Sequence, residues 1–410
     1  MPQCLICKNA YEPFISFGKM PIANGFLKKE EFDSEYFFEL EVGHCEHCHM
    51  VQLTEQPARE MMFHKNYAFY SSTSVQQTSH FKELSEMVAE KFFLSDDPFI
   101  VELGSNDGIM LQNFAYKNIR HLGVEPSSNV AQVAIAKGVK SISEFFDKSL
   151  AEKIIQDNGK ADVILAANVM CHIPYLHSVF DGIKILLNPA GAFIFEDPYL
   201  GDILEKISYD QIYDEHAFYF SIASISYIAR QHEMELFDVE HLDVHGGSMR
   251  YYIGHKGATP ISDSVRKRQD IEVQLGLQTP ETFDKFRANV EASRDALVEL
   301  LTDIRNSKGE TIVGYGATSK STTITNYCGI GPELVEYISD TTPLKQGKFS
   351  PGTHIPVRPY EYFSNNLPRY ALLFAWNHAK EIMEKETIFK DKGGKWIVYT
   401  PKVGVIDDSL

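Results

Sequence analysis

The sequence lacks any long apolar run, and no stretch reaches the roughly 20 apolar residues that a membrane-spanning helix needs. Its first residues, MPQCLICKNA, contain no apolar core of the kind that secretory signal peptides carry. We therefore expect a cytoplasmic protein without a membrane partner. Cys171 and Cys328 stand outside the paired cysteines described below and fit a reducing compartment, where buried thiols stay free.

Positive charge is scarce, because 39 Lys and Arg residues face 56 Asp and Glu residues, which gives a net charge of -17. Nonspecific nucleic-acid binding depends on basic patches, so we expect no nucleic-acid partner and favour a small-molecule substrate. Solenoid repeats and low-complexity tracts are also missing from the sequence. A chain of 410 residues with 44% hydrophobic content exceeds one hydrophobic core, which predicts two or three domains.

Four cysteines occur as two pairs with the same two-residue spacing: Cys4, Cys7, Cys45 and Cys48. Two thiolates at this spacing can bind one tetrahedral ion, and a second pair completes a four-sulfur structural zinc site. Chance pairing and disulfides are the alternatives. Three histidines crowd the second pair and are interpreted as surface residues, since four sulfurs suffice: His44, His47 and His49.

The chain downstream of the cysteines alternates between strand and helix patterns, which predicts a parallel sheet covered on both faces. Strands are predicted at 98–103, 121–125, 162–168 and 192–196, and helices at 78–93, 128–137 and 176–187. A charged helical region at 280–307 and a strand at 311–315 begin a second, smaller α/β unit. The predicted fold class is α/β, with a small metal-stapled segment in front.

The loop Glu102-Leu-Gly-Ser-Asn-Asp-Gly108 follows the first of these strands, where doubly wound sheets bind ligands. It lacks the Gly-x-Gly-x-x-Gly spacing that brings backbone against a pyrophosphate, so a dinucleotide is disfavoured. Glu125 ends the next strand, where a carboxylate can accept hydrogen bonds from the ribose hydroxyls of an adenosine. S-adenosylmethionine has that ribose and no phosphates. An ordinary strand turn followed by a strand-end acid is the alternative.

The chain resembles the zinc-containing sugar C-methyltransferases, class I methyltransferases that act on TDP-linked 4-keto-deoxysugars. The resemblance covers essentially the whole length and rests on the paired cysteines and on residues 67–74, 102–108, 168–172, 196–199, 213–216 and 314–320. It implies a zinc domain, a central Rossmann-like methyltransferase domain and a C-terminal Rossmann-like domain that helps to hold the sugar nucleotide. The glycine loop departs from the fuller methyltransferase pattern at Asn106.

Methylation of a carbon next to a ketone needs a base that removes a proton and a donor that stabilises the enolate oxygen. The motif Tyr213-Asp-Glu-His216 supplies an imidazole, a phenol and a carboxylate. The resemblance points to the same residues. We expect His216 to be the base, with Tyr213 and Glu215 supporting it and His172 close by; a polar loop without a catalytic role is the alternative.

Further residues are predicted to bind the cofactor and the substrate. For the cofactor these are Glu102, Gly104, Asn106, Gly108, Glu125 and Asn168, together with Tyr67, which the resemblance alone implies; a core aromatic is the alternative for Tyr67. For the substrate they are Tyr213, Ser319, Lys320 and Asp340, because residues 314–320 put hydroxyls and a lysine at a helix N-terminus that attracts phosphate. The missing Walker spacing argues against ATP hydrolysis. The segment His245-Gly-Gly-Ser248, with Arg250 after it, suits either a substrate loop or a tight turn.

The sequence therefore predicts a monomeric S-adenosylmethionine-dependent C-methyltransferase that acts at C3 of a TDP-4-keto-6-deoxy sugar and carries one structural zinc ion. The predicted domains are a zinc-binding domain at 1–65, a methyltransferase domain at 66–255 and a C-terminal domain at 256–410. Alternatives are an O- or N-methyltransferase on a sugar nucleotide and, less favoured, a nicotinamide-dependent oxidoreductase. A non-catalytic zinc module is disfavoured by the size of the α/β portion.

Overall fold

A computed structural model of the chain describes residues 1–62, 70–73, 75–93 and 95–406. The strands are β1 (Glu12–Pro21), β2 (Phe37–His44), β3 (Val51–Leu53), β4 (Phe99–Leu103), β5 (Arg120–Val124), β6 (Ser141–Ile142), β7 (Ala161–Ala167), β8 (Leu187–Pro198), β9 (Phe218–Tyr219), β10 (Met234–Leu242), β11 (Ser248–His255), β12 (Ile312–Tyr315), β13 (Ile338–Asp340), β14 (Val357–Pro359), β15 (Tyr370–Leu373), β16 (Lys395–Val398) and β17 (Gly404–Ile406). The α-helices are α1 (Arg59–Met62), α2 (Val75–Phe92), α3 (Gln112–Ala115), α4 (Ser128–Ala136), α5 (Lys148–Asn158), α6 (Leu176–Leu186), α7 (Leu200–Lys206), α8 (Ile222–Gln231), α9 (Asp263–Leu275), α10 (Pro280–Thr302), α11 (Ser319–Tyr327), α12 (Tyr360–Asn365), α13 (Ala379–Lys385) and α14 (Thr387–Asp391).

The N-terminal segment forms an antiparallel sheet in the order β1-β2-β3-β9. Ile15 and Phe17 on its apolar face share a buried cluster with Phe283 and Phe286 of α10. Strand β9 comes from much later in the chain, and it pairs Phe218–Tyr219 with β3. The sheet therefore packs on the rest of the molecule, and its stability depends on that packing.

The central sheet has the order β6-β5-β4-β7-β8-β11-β10, and its first five strands are parallel. Strand order reverses between β4 and β7, so their carboxyl ends form the crevice in which doubly wound sheets bind ligands. The strands are buried runs such as Phe99–Leu103, as expected for strands covered by helices on both faces. Strands β11 and β10 extend the sheet in antiparallel pairing.

The C-terminal sheet has the order β14-β13-β12-β15-β16-β17, and only its last pair is antiparallel. Here the order reverses between β12 and β15, which creates a second crevice at the start of α11. The protein thus contains two doubly wound sheets, and both crevices open toward the same cavity.

The predicted α/β fold class and the alternation from residue 98 onward are confirmed. The sequence patterns did not predict α5, α9 or the antiparallel strands β10 and β11. The interpretation of His44 as a surface residue is wrong: its ring is 7% exposed and stacks on Phe283, with 4.5 Å between the ring centroids. None of the helices in the described ranges is long and apolar enough to cross a membrane.

Candidate active site

A cavity of about 320 Å³ lies where the three sheets meet. Its walls come from every part of the chain: Asn24 follows β1, Gly104 and Asn106 follow β4, and Lys320 begins α11. The Tyr213-Asp-Glu-His216 turn, which leads into β9, contributes Tyr213, Glu215 and His216. Two ligand-binding crevices and a turn rich in titratable groups therefore share one space.

The carboxylate of Glu125 lies at the cavity wall just beyond β5. One of its oxygens accepts a hydrogen bond from the backbone N–H of Asn106 at 3.0 Å, and the other accepts from Ser127 at 2.7 Å. Burial raises the pKa of this carboxyl despite the two hydrogen bonds. The bonds fix its orientation, and each oxygen keeps a lone pair for the hydroxyl of a ligand.

The loops after β4 and β7 lie close together, and their backbones turn sharply. Gly104 has φ +65°, and a Cβ there would meet Val169 Cγ2 at 2.1 Å. Asn106 and Asn168 adopt similar left-handed conformations, which asparagine tolerates better than most residues. Gly104, Asn106, Glu125 and Asn168 all line the cavity. A strand-end carboxylate can accept hydrogen bonds from ribose hydroxyls, so the residues present fit S-adenosylmethionine.

Other predicted cofactor residues lie behind the cavity wall. Glu102 is buried inside β4, where burial and the neighbouring Glu125 raise its pKa well above the usual range. Gly108, with φ +78°, packs against Val139 and Ala134 and lets the loop enter α3. Tyr67 lies outside the described residues. Glu102 and Gly108 thus shape the loop that Gly104 and Asn106 present to the cavity.

Ser71 and Ser72, which follow the first gap between the described ranges, form hydrogen bonds with the same loop. The backbone N–H of Ser71 donates to Asn106 Oδ1 at 3.1 Å, and that of Ser72 donates to Asp107 Oδ2 at 3.3 Å. Lys137 reaches across from the end of α4 and lies 3.1 Å from Asp107 Oδ2. These contacts hold residues 71–72 beside the cofactor loop.

His216 is held as a neutral imidazole with a defined tautomer. Its Nδ1 lies 2.8 Å from the carbonyl oxygen of Gln211, which can only accept, so Nδ1 carries the proton. Nε2 is then an acceptor, and the Tyr213 hydroxyl donates a hydrogen bond to it at 2.9 Å. Burial, together with the neighbouring His172 and Lys320, lowers the pKa of His216 well below its ordinary value. The ring is therefore ready to take a proton.

Glu215, Asp214 and His172 surround this pair. The Glu215 carboxylate accepts a hydrogen bond from Asn24 Nδ2 at 2.6 Å. Burial and the Glu215 charge raise the pKa of Asp214 to about 8. The ring of His172 stacks on His216 with 5.1 Å between centroids, and burial lowers its pKa to about 4. The structure thus brings all four predicted catalytic side chains together at one end of the cavity.

Donor atoms of Cys171, His172 and His216 also lie within 4.8 Å of one another. Both nitrogens of His216 already serve hydrogen bonds to Gln211 and Tyr213. A metal ion would have to break one of them, so we assign no metal to this group.

The C-terminal crevice supplies positive charge and hydroxyls. Lys320 Nζ lies 4.8 Å from the centroid of the Trp376 ring, and Ser319 lines the cavity beside it. Burial lowers the pKa of Lys320, while the carboxylate of Asp210 opposes this shift. Asp340, predicted to bind substrate, is not among the described lining residues. Its carboxylate instead accepts from the backbone N–H of Ala317 at 2.7 Å and holds the loop in place.

The His245-Gly-Gly-Ser248 segment is both a tight turn and part of the cavity wall. His245 lines the cavity, and burial and Lys320 lower its pKa to about 3. A Cβ at Gly246 would strike the Trp376 ring at 2.4 Å, so the turn packs directly on the C-terminal crevice. Arg250 lies apart from the cavity and pairs with Glu196 at 2.6 Å.

Sequence reasoning missed several lining residues, among them Asn24, Asn377 and His378, whereas Lys345 was noted as following the strand that ends at Asp340. Lys345 follows β13 and donates to the carbonyl of Ala317 at 2.7 Å. His378 follows β15 on the far side of the crevice, where no motif drew attention to it. A search for polar residues after each parallel strand of the second sheet would also have found His378.

The four predicted zinc ligands come together in the N-terminal segment. All four sulfurs lie within 4.8 Å of one another, with Cys4 and Cys48 3.5 Å apart and Cys7 and Cys45 3.3 Å apart. Tetrahedral zinc with Zn–S bonds of about 2.3 Å requires sulfur separations of about 3.8 Å, so the cluster fits the ion. A closed four-sulfur site leaves no position for a substrate and serves the fold.

Comparison with known proteins agrees with this arrangement. Residues 4–63 match the family model described as "Putative zinc binding domain", residues 77–238 match "Methyltransferase domain" and residues 243–401 match "C-methyltransferase C-terminal domain". The chain is 33% identical over 407 residues to C-methyltransferase NovU from Streptomyces niveus, covering 98% of this chain and 96% of that protein.

Among solved structures, the chain is similar to the PH0226 protein of Pyrococcus horikoshii OT3, at 15% identity and a TM-score of 0.37. That match covers 46% of this chain and 95% of the other. A second match is magnesium protoporphyrin IX methyltransferase from Synechocystis PCC 6803, at 14% identity and a TM-score of 0.33, covering 44% and 82% of the two chains.

The predictions of a structural zinc ion and of S-adenosylmethionine as methyl donor are confirmed. The relative, which matches over nearly the full length, and the three matching family models all indicate the same protein family. The chain belongs to the family that its sequence resembles, the zinc-containing, S-adenosylmethionine-dependent sugar C-methyltransferases.

Proposed function

We propose that this enzyme methylates C3 of a TDP-4-keto-6-deoxy sugar through an enolate, with His216 as the base. The observation that carries the proposal is the hydrogen-bonded pair of Tyr213 and His216 at the junction of the two crevices. S-adenosylmethionine supplies an electrophilic methyl group, and its transfer to carbon needs a carbon nucleophile. A ketone makes the neighbouring C–H acidic enough for a neutral imidazole to remove its proton.

The cofactor side of the cavity supports this assignment. Glu125, held by the Asn106 and Ser127 N–H groups, is proposed to bind the ribose hydroxyls of the methyl donor. Gly104 and Asn168 give the ligand access to the crevice between β4 and β7. Both groups line the same cavity as the Tyr213-Asp-Glu-His216 turn, which supports the proposal that the methyl group and the base approach the same carbon.

Proton removal is proposed to begin with an exchange of hydrogen-bond partners. Without substrate, the Tyr213 hydroxyl donates to Nε2 of His216. A sugar whose C3 approaches Nε2 displaces that hydroxyl, which is then available to donate to the ketone oxygen at C4. His216 takes the C3 proton, and Tyr213 stabilises the negative charge that develops on oxygen. One movement would thus prepare both the base and the oxyanion donor.

The nucleotide is proposed to lie in the C-terminal crevice. Ser319 and Lys320 at the start of α11 present a hydroxyl, a cation and the N-terminal end of a helix, which together favour a diphosphate. We also propose that the domains comprise residues 1–65, 66–255 and 256–410. The proposed active unit is a monomer, and the proposed compartment is the cytoplasm.

The test is incubation of the wild-type enzyme with S-adenosylmethionine and a panel of TDP-linked sugars, followed by mass spectrometry and NMR. The proposal predicts the mass gain of one methyl substitution, on carbon at C3, for 4-keto sugars only. Methylation of a 4-hydroxy sugar at the same rate would exclude the enolate mechanism. A methyl group on oxygen or nitrogen would make the enzyme an O- or N-methyltransferase of the same sugars.

A further inference from the structure

The segment that follows β1 inserts a side chain from the N-terminal, zinc-bearing part of the chain into the cavity. Asn24 lies among the lining residues, between the Tyr213-Asp-Glu-His216 turn and helix α11. Its Nδ2 lies 2.6 Å from Glu215 Oε1 and 2.7 Å from Ser319 Oγ. One amide group therefore touches a predicted catalytic carboxylate and a predicted nucleotide-binding hydroxyl at once.

The chemistry of the three groups fixes the direction of both hydrogen bonds. An ionised carboxylate can only accept, so the amide nitrogen of Asn24, and not its oxygen, must face Glu215. The second N–H of the same nitrogen then points to Ser319 Oγ. Because Ser319 accepts this bond, its own hydroxyl proton is left to donate to another acceptor. Asn24 thereby sets Ser319 as a donor next to the cavity.

Neighbouring contacts hold Asn24 in this position. The backbone N–H of Ala23 donates to Asp214 Oδ1 at 2.9 Å, and its carbonyl accepts from Thr322 Oγ1 at 2.8 Å. Gln56 Nε2, from the same part of the chain, donates to the carbonyl of Asp214 at 3.1 Å. The segment is thus bonded on one side to the turn and on the other to α11, and it has little freedom to move Asn24.

We propose that Asn24 is a positioning residue that couples nucleotide binding at Ser319 to the placement of Glu215 beside His216. A phosphate oxygen that accepts a hydrogen bond from the Ser319 hydroxyl stabilises the orientation in which Ser319 accepts from Asn24 and donates to the ligand. The Asn24 amide stays locked between Ser319 and Glu215, and the carboxylate is held in its working position. The N-terminal part of the chain then completes the active site in addition to carrying the zinc ion. This inference rests on the proposed function.

The first test replaces Asn24 by leucine, which has the same branching at Cγ and makes no side-chain hydrogen bonds. Loss of the coupling should lower kcat and raise the KM for the sugar nucleotide, with kcat/KM falling by up to about 100-fold, because small displacements of catalytic groups have effects of that size. Affinity for S-adenosylhomocysteine, measured by calorimetry, should not change. Zinc content and the Tm report whether the variant is folded.

The second test uses aspartate, which keeps the shape of asparagine. Asn24→Asp places a carboxylate against Glu215, and two adjacent carboxylates share one proton with a raised pKa. The ratio of variant to wild-type turnover should therefore fall as the pH rises through that pKa and recover as the pH is lowered. Asn118→Asp adds the same charge at an exposed position and should follow the wild-type pH profile. This test also serves if Asn24→Leu does not fold.

A double-mutant cycle gives a readout without turnover. Asn24→Ala and Ser319→Ala should each weaken TDP binding by about 2- to 10-fold, the range of a single hydrogen bond, and the double variant should bind about as well as Ser319→Ala alone. Additive losses would overturn the coupling, as would wild-type kcat and KM in Asn24→Leu. If the wild type neither binds TDP nor methylates a sugar, the proposed function fails and this inference with it. If the wild type does both and the Asn24 variants match it, the inference alone fails.

Discussion

The Tyr213 hydroxyl donates a hydrogen bond to Nε2 of His216, and 2.9 Å separates the two atoms. The direction of this bond follows from the Gln211 carbonyl, which holds the proton of His216 on Nδ1. A neutral imidazole whose Nε2 carries a lone pair is a base, and a phenol at the same point is an oxyanion donor. The pair therefore contains both functions that enolate formation requires.

Replacement of His216 by glutamine should remove the base but keep a polar side chain of similar length. General-base catalysis typically contributes about 10²- to 10⁴-fold, so we expect kcat to fall by that order while both ligands still bind. Tyr213→Phe should lower kcat as well, and the double variant should lose less than the product of the two single effects, because the residues act as a unit. Single-turnover kinetics and calorimetry measure these quantities. If His216→Gln keeps near wild-type turnover, another residue is the base and His172 is the first to examine.

The pH dependence of the reaction follows from the lowered pKa of His216. A base works only when it is unprotonated, so a pKa below the ordinary value of about 6.5 keeps it active into mildly acidic solution. We expect kcat/KM to stay flat as the pH falls through 6.5 and to decline only at a lower pH. A decline centred on the ordinary histidine pKa would contradict the burial effect.

The same shift affects stability. The folded state holds His216 neutral, while the unfolded chain takes up the proton near its ordinary pKa of about 6.5. Stability from this group is fully present above that pH and is lost as the pH falls toward the folded pKa. His172, whose pKa burial lowers to about 4, adds to the same trend. Urea unfolding between neutral and acidic pH should show a smaller loss of stability in His216→Gln than in the wild type.

Gly104→Ala tests the space at the cofactor loop. A left-handed backbone costs a non-glycine residue about 1–2 kcal/mol, and here the new methyl group also meets Val169 at 2.1 Å. Gly138 is the matched control, because its φ of +86° carries a similar strain but nothing lies within 4 Å of its Cβ. We expect Gly104→Ala to lose S-adenosylmethionine affinity in calorimetry and Gly138→Ala to keep it. Equal affinities would place the ligand away from this loop.

Zinc removal should disable the active site as well as the N-terminal sheet. Strand β9 begins two residues after His216 and pairs with β3, which follows Cys48 closely in sequence. Apparent zinc-binding energies of about 10–16 kcal/mol in zinc-finger peptides show how strongly such sites support a fold. We expect Cys7→Ala to lose zinc by elemental analysis, to melt at a lower temperature and to lose turnover, while Cys328→Ala keeps its zinc. A zinc-free Cys7→Ala variant with full activity would contradict this dependence.

The sequence allowed prediction of the features that depend on local patterns. Gly104 and Glu125 follow consecutive strands of a parallel sheet, so their carboxyl-end positions determine that they meet. The zinc site follows from spacing alone. Tyr213 and His216 are three residues apart, so one turn brings them into contact.

Other features depend on contacts between distant parts of the chain. Asn24 is separated by 191 residues from Glu215 and by 295 from Ser319, and no local pattern relates them. His44 resembles a surface residue in sequence because the Phe283 ring that covers it belongs to α10. Asp340 resembles a ligand-binding acid, yet its carboxylate serves the backbone of the neighbouring loop. Such outcomes are set by tertiary packing, which the sequence pattern of one segment does not contain.

Solvent deuterium exchange at C3 of a TDP-4-keto-6-deoxy sugar is the most direct test of proton removal by His216. The cofactor site is filled with S-adenosylhomocysteine, which has no methyl group to transfer, and the sugar is followed by NMR. The enolate mechanism predicts that the wild type incorporates deuterium at C3. In His216→Gln, with both ligands bound, the exchange rate should fall by about the same factor as kcat. Exchange at the wild-type rate in His216→Gln, or methylation by a wild type that never exchanges this proton, would contradict it.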